Sequence, residues 1–283
     1  MNEPGAECDF SHIELPVLGK RVLRMGIASN YGLKTADAFH AAERGANLWL
    51  WTPRYRTVTP VIRALAARDR ERQVVAMLGV AYTGGMVRRG VENALRQLGV
   101  DHLDFYLLSW LGKGSAYTQG VRDTLAALKA EGKVSVVGTS IHDRPRAGRL
   151  AADSVLDAFM IRYNAKHPGA EQDIFPHLAA RKPAVLAYTA TSWRQLITPV
   201  GGIEMPPFPG QSQGDVPPLT AGLCYRFCLS SPHVHTVFTG PKDRAQLDAN
   251  LDALAQGPLS AEEDAWVRSY GAKVKAKKKL PYL

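Results

Sequence analysis

Six side chains between residues 51 and 113 are of the types that grip a small molecule and act on it: Trp51, Arg54, Tyr55, Tyr82, Trp110 and Lys113. Aromatic faces beside one or two cations hold an acidic or aromatic ligand through stacking and charge. Each of the six lies at or just beyond the end of a short apolar run, so parallel strands would gather them at one rim. Some, Trp51 above all, could instead fill the top layer of a core. A second constellation lies near the C-terminus. Residues 240–250 can present a helix N-terminus with Lys242 and Arg244 beside it, and free backbone N–H groups with basic side chains make a phosphate cradle. Asp243 brings a negative charge close by. Cys224 and Cys228 share a helical stretch without cysteine or histidine partners, which reads as buried packing and no metal site.

The elements that must position these residues are apolar runs alternating with amphipathic helices, the pattern of a parallel sheet with crossover helices. Eight candidate strands fall at 22–28, 47–51, 73–78, 103–108, 133–138, 155–161, 184–189 and 235–239. Their run-like character, as in Val134-Ser135-Val136-Val137, fits strands covered on both faces. Thr35 caps a helix through Arg44 that Gly45 ends, Gly99 stops the stretch Met86 to Leu98, and Thr118 opens the helix that Gly132 closes. Ser260 and Glu263 form a capping box at the head of a final helix outside the repeat. Gly84-Gly85 reads as a strand-to-helix turn, and His102, His233 and His235 fall at the floor, the last two as surface residues. Before the first strand, Ile13 to Lys20 can form a hairpin turning at Leu18-Gly19 and plugging the floor. The irregular segment 192–218 carries seven Pro and Gly residues between Pro206 and Pro218. A segment of that length after the seventh strand is expected to act as a lid over the C-terminal mouth. The expected fold is α/β: a single domain over 1–283, a (β/α)8 TIM barrel with an N-terminal hairpin and an extra C-terminal helix.

Composition agrees. The 283 residues are close to the roughly 250 that one such barrel needs, and 46% hydrophobic with 22% charged residues allows a large core. Glu3, Glu7 and Asp9 near the start do not make a secretory signal, and no apolar run approaches the ~18 residues of a membrane span. Three cysteines fit a reducing compartment, so a cytoplasmic protein is expected. The net charge is +9, with Lys273, Lys275, Lys277, Lys278 and Lys279 clustered in the tail 273–283. Clustered lysines can bind acidic polymers, but no nucleic-acid-binding signature accompanies them. A solvated, frayed helix is the expectation.

Several segments carry a family likeness. Gly45-Ala46-Asn47-Leu48-Trp49-Leu50-Trp51-Thr52-Pro53-Arg54-Tyr55 resembles the strand-two signature of the aldo-keto reductases, G-[IA]-N-x-x-D-T-A-x-x-Y. Leu103-Asp104-Phe105-Tyr106-Leu107-Leu108-Ser109-Trp110 is similar to that family's L-D-x-Y-L-L-H-W. Gly132 to Ser140, Ile161-Arg162-Tyr163-Asn164, Ala187-Tyr188-Thr189 and Thr239 to Asn250 resemble its later motifs in the same order.

In that family NADPH lies across the barrel mouth, and a tyrosine completes carbonyl reduction with a proton. The resemblance places Tyr55 on this acid, Leu50 on its aspartate, Leu78 or Gly79 on its lysine and Ser109 on its histidine. The lysine matters because a phenol of ordinary pKa about 10 needs a neighbouring cation to release its proton readily. No shift of register restores the partners: residues 35–112 contain no lysine, 38–68 no aspartate and 41–101 no histidine. Lys113 could reach the mouth only from a different place. The Ser-Asn pair and Gln that grip the nicotinamide carboxamide correspond to Ser140, Ile141 and Met160. Tyr188 matches the aromatic that stacks on the ring, or is a barrel-edge tyrosine with its hydroxyl in solvent. Thr189, Thr191 and Ser192 match the pyrophosphate loop, and Lys242, Arg244 and Asn250 the last nucleotide motif. NADP(H) binding is therefore open.

These readings imply a barrel that binds a small molecule at its mouth without conventional carbonyl reductase activity, as a repurposed non-redox enzyme or a pseudoenzyme. Two alternatives stand beside it: an atypical NADPH-dependent oxidoreductase with Tyr55 as proton donor, helped by Arg54 or Lys113, and a scaffold using the basic tail. The sequence leaves the oligomeric state open.

Overall fold

The structure, a computed structural model, describes residues 9–212 and 218–277. Strand β1 (His12–Leu15) pairs antiparallel with β2 (Lys20–Leu23), Ile13 opposite Val22, and Gly19 takes the left-handed turn position at φ +64°. The hairpin turn is where the sequence put it, but the single strand expected over 22–28 is two. The chain breaks at Arg24. Its N–H donates to the Ser11 carbonyl at 2.8 Å, and its guanidinium reaches the carbonyls of Leu229, Val234 and His235 at 2.8–3.1 Å. Only β3 (Met25–Ile27) then enters the barrel.

The remaining elements follow in strict alternation: α1 (Thr35–Glu43), β4 (Leu48–Trp51), α2 (Thr59–Asp69), β5 (Val74–Gly79), α3 (Gly84–Leu98), β6 (Leu103–Leu108), α4 (Gln119–Ala130), β7 (Val134–Ile141), α5 (Arg144–Ala152), β8 (Ala158–Arg162), a four-residue α6 (Ala170–Asp173), β9 (Ala184–Tyr188), α7 (Ala221–Ser230), β10 (Thr236–Thr239), α8 (Arg244–Asp252) and α9 (Ala261–Lys277). Eight parallel strands close in the order β10-β3-β4-β5-β6-β7-β8-β9. The fold is the expected (β/α)8 barrel with an N-terminal hairpin and a helix added at the end.

Alternation along each strand divides the core in two. Leu48, Leu50, Val74, Ala76, Phe105, Leu107, Val136, Ala158, Met160, Leu186 and Phe238 fill the barrel interior together with Leu15 and Val22 of the hairpin. Trp49, Trp51, Val75, Met77, Tyr106 and Leu108 face the helices. Asp104, fully buried at the floor, locks the hairpin to the barrel. Its carboxylate accepts from Lys20 Nζ at 3.0 Å and from Arg70 Nη2 and the Val75 N–H at 2.8 Å each.

Most start and stop signals act as expected. Thr83 and Thr118 cap α3 and α4, Gly99 ends α3 at φ +68°, and Ser260 and Glu263 exchange bonds of 2.9 and 3.1 Å as a capping box. Thr35 does not cap α1. Lys34 holds that position, and the Thr35 hydroxyl instead donates to the Thr57 carbonyl. His235 is not a surface residue either. Its Nδ1 accepts the Val185 N–H at 3.0 Å, and burial followed by Arg24 pushes its pKa down to about 4. Cys228 packs in the core with its thiol on the Tyr163 carbonyl, and a Cβ at Gly84 would strike the Gly120 carbonyl of α4, a packing contact.

The long segment after β9 is a strap rather than a free lid in its described part. Trp266 Nε1 donates to the Pro206 carbonyl at 2.8 Å, Phe208 meets Trp266 edge-on, and Lys277 Nζ donates to the Gly201 carbonyl at 2.9 Å. Lys273 bonds the Glu204 carbonyl. The described lysines of the tail are thus partly engaged on this strap, not all left to solvent; Lys278 and Lys279 lie outside the described residues, as does Cys8. No helix among the described residues is long and apolar enough to cross a membrane.

Candidate functional site

Strand pleating decides which of the expected mouth residues reach the mouth. On β4, Leu50 points into the barrel and Trp51 away from it. Trp51 is fully buried against the helices, its Nε1 on Thr59 Oγ1 at 2.9 Å, and takes no part in the rim. A turn closed by the Tyr55 N–H on the Thr52 carbonyl (2.9 Å) brings Tyr55 back against the barrel interior, an apolar cluster that includes Leu50 and against which Leu78 and Tyr188 also pack. Arg54 stays on the exposed side of that turn. On β5 the inward residue is Leu78. Gly79 faces outward, and a Cβ there would run into the Tyr106 ring. Of the two residues that the resemblance offers for the lysine, only Leu78 faces the barrel interior.

Tyr55 sits half-buried on this apolar floor. Burial raises its phenol pKa, and the neighbouring Tyr31 adds to the rise. No cation lowers it, and its hydroxyl has no hydrogen-bond partner among the described residues. Ser109 is half-buried at the end of β6; its N–H donates to the Gly79 carbonyl at 2.8 Å and its carbonyl accepts from Ser115 Oγ.

On the opposite side of the rim lies a cluster that includes a residue the sequence reading passed over. His142, the first residue past β7, is hydrogen-bonded through Nε2 to the Tyr188 hydroxyl at 2.9 Å. Its ring meets Tyr188 edge-on at 5.7 Å and Trp110 at 6.2 Å. The Tyr188 hydroxyl is accordingly bonded within the rim, not left in solvent. The Lys113 ammonium lies 5.6 Å from the Trp110 ring centroid, while the exposed Tyr82 donates to the Lys113 carbonyl at 2.9 Å. Trp110 is 40% exposed in a left-handed conformation, and its N–H takes the Ser140 oxygen at 3.0 Å. Arg162, the last residue of β8, completes the group. Burial, then Arg162 and Lys113, hold His142 down to about 4, so at neutral pH it is an uncharged imidazole able to accept from Tyr188, whose own pKa burial raises. The rule that found Trp110, position just past a strand's C-terminal end, would also have found His142 and Arg162.

The residues that the resemblance aligns with a carboxamide grip are mostly apolar. Ser140 spends its oxygen on Trp110, Ile141 is buried in the outer core, and Met160 is an apolar interior residue. At the phosphate end the helix terminus of α8 is already capped by Asp243, which accepts the Gln246 N–H at 2.9 Å. Arg244 is exposed, with its Nε paired to Asp37 at 3.0 Å, and Asn250 is buried with its amide on Thr239 Oγ1 at 2.9 Å. Lys242 remains exposed, 3.8 Å from Asp243. After β9 the backbone is left-handed at Thr189, Ser192, Trp193 and Arg194, a run that costs free energy in residues other than glycine. Thr191 Oγ1 accepts the Arg194 N–H at 3.2 Å, the Thr189 hydroxyl is on the Tyr188 carbonyl, and the buried Ser192 hydroxyl has no partner among the described residues. Among the described residues no group of histidine, cysteine and carboxylate side chains is placed to hold a metal.

The family model described as the Aldo/keto reductase family matches residues 22–193. No curated protein sequence matches significantly. Similar solved structures include an aldo-keto reductase from Bacillus halodurans in its holo form, with 19% identity, TM-score 0.72 and coverage of 96% of this chain and 98% of the other. The glycerol dehydrogenase of Gluconobacter oxydans gives 16%, 0.74, 98% and 99%. An aldo-keto reductase from Klebsiella pneumoniae in complex with NADPH gives 21%, 0.71, 93% and 96%.

Proposed function

Since the chain belongs to the aldo/keto reductase family, we propose that it is a member whose mouth binds a small molecule without conventional NADPH-dependent carbonyl reduction, either for non-redox chemistry or as a pseudoenzyme. The observation that carries this is Tyr55. A proton donor in this chemistry needs its phenol pKa lowered. Here the phenol packs against the apolar barrel interior with its pKa raised by burial. The apolar replacements in the carboxamide grip support the same reading, because a buried amide without partners costs on the order of 1–3 kcal/mol for each unmade bond. The test is NADPH consumption by purified protein over a panel of aldehydes and ketones. Background rates are expected, and ordinary turnover on any of them refutes the proposal.

A second reading has one observation in its favour. The unpartnered Ser192 hydroxyl lies on the loop that would meet a pyrophosphate, and a similar structure is described as a complex with NADPH. In this reading Tyr55 donates the proton with help from Arg54 or Lys113, so Tyr55→Phe abolishes NADPH consumption. Absence of tryptophan fluorescence quenching by NADPH removes it. The scaffold alternative has less support, since Lys273 and Lys277 are engaged on the strap. Deleting 273–283 and finding a phenotype that mouth substitutions lack would revive it.

A further inference from the structure

Arg162 is a cation without a counter-ion at the barrel mouth. It ends β8 half-buried, and its Nη1 is closed off from solvent without a hydrogen-bond partner among the described residues. The charged neighbour that acts on it is another cation, Arg144, which is itself held by Asp173 at 2.7 Å. A guanidinium with an unused, desolvated N–H is a strong donor lacking its acceptor, and carboxylates match its geometry.

The surroundings narrow the choice of acceptor. The groups facing His142 are Tyr188 from β9, Arg162 from β8, and Trp110 and Lys113 from the turn after β6; none is negative. Asp143, next in the chain, is turned away to cap α5, accepting the Arg146 N–H at 3.0 Å. That cap also places a carboxylate at the start of α5, where its charge would repel a phosphate. Below the rim the wall is Leu50, Leu78 and Met160. One guanidinium, a more distant ammonium, three rings and an apolar wall suit an anion carried on an apolar or aromatic body.

We propose that the rim between β7, β8 and β9 is a carboxylate site: Arg162 holds the anion, Lys113 adds attraction from the solvent side, and Trp110, His142 and Tyr188 flank an aromatic body. The inference rests on the reading that the mouth's ligand is not a nicotinamide. It gives His142 and Tyr188 a role as positioning residues, since the hydrogen bond between them fixes both rings against the ligand. It also couples ligand to proton. Burial does most to hold the imidazole neutral, and a carboxylate on Arg162 offsets one of the two cations that add to it, which favours protonation of His142 when the site fills.

The experiment is a titration of the full-length protein, without nucleotide, with benzoate, its neutral isostere benzamide, and inorganic phosphate. Binding is followed by tryptophan fluorescence and the His142 ring by NMR. Benzoate is expected to bind at least roughly ten-fold tighter than benzamide or phosphate. Arg162→Gln is expected to erase that preference, and saturation with benzoate to move the His142 titration to higher pH. Equal affinity for benzamide, preference for phosphate, or an unmoved His142 overturns the proposal. Should Arg162→Gln fail to fold, the ligand series and the His142 titration on unaltered protein decide the matter. Because no nucleotide is present, failure here leaves the NADPH assay untouched, and turnover in that assay leaves this titration untouched.

Discussion

Mild acid should destabilise this barrel through three histidines, well before its carboxylates titrate. His142, His167 and His235 are each pushed down to about 4, in every case first by burial and then by nearby cations. In the unfolded chain the same groups titrate near 6.5. Between these values the unfolded state binds protons that the folded state refuses, so stability is fully present above about pH 6.5 and falls as pH drops toward 4. Each shift is worth at most about 3.4 kcal/mol at about 1.36 kcal/mol per pH unit. Partial exposure of the three rings argues for about half of that. Summed down to pH 4.5, the loss is roughly 4 kcal/mol, a large part of a typical stability of about 5–15 kcal/mol. With an m-value near 3 kcal/mol/M, the urea midpoint should fall by roughly 1–1.5 M between pH 7.5 and 4.5. His235→Asn, which keeps an acceptor for the Val185 N–H, should remove about a third of that fall while leaving the midpoint at pH 7.5 nearly unchanged. A midpoint constant to within about 0.3 M across the range would refute the reasoning.

Three further outcomes follow from contacts described above. Asp104→Asn leaves Lys20 and Arg70 without their buried carboxylate, and should cost about 3–5 kcal/mol, read as a Tm lower by roughly 10 °C. Leu78→Lys puts an ammonium beside Tyr55. At ~4–5 Å and an effective dielectric near 20, the attraction is about 3–4 kcal/mol, so an ultraviolet titration should find the Tyr55 pKa lowered by ~2 units or more; an unchanged value would mean that Leu78 does not face Tyr55. Trp266→Phe removes the bond that holds the Pro206 carbonyl, and limited proteolysis should then cut within 197–212 markedly faster than in the parent, with the barrel left intact.

The barrel was legible because its signals are redundant. Eight apolar runs, the threonine caps on α3 and α4 and the glycines that end helices all point the same way. The boundary at Arg24 was not, because the bonds that break that strand come from carbonyls more than two hundred residues away. Around Tyr55, the absence of lysine from 35–112, of aspartate from 38–68 and of histidine from 41–101 is plain in the sequence whatever the register. Which face Trp51 or Gly79 presents is a one-residue question of pleat, and the family motif alone does not answer it. His142 and Arg162 stand out only in three dimensions, where strand ends far apart in sequence bring them together with Tyr188 and Trp110.

The bonds that Arg24 makes to Leu229, Val234 and His235 span 205, 210 and 211 residues of chain. They lie at the seam where β3 meets β10, so the cylinder cannot close until nearly all of the polypeptide is available. Joining ends so far apart carries a large loop-closure entropy, which delays closure relative to the local βα units. Until then β3 and β9 present open sheet edges, the feature most prone to pair with another molecule. During synthesis the growing chain is therefore exposed to aggregation over most of its length, and that exposure ends only when the last strand slides in beside the first.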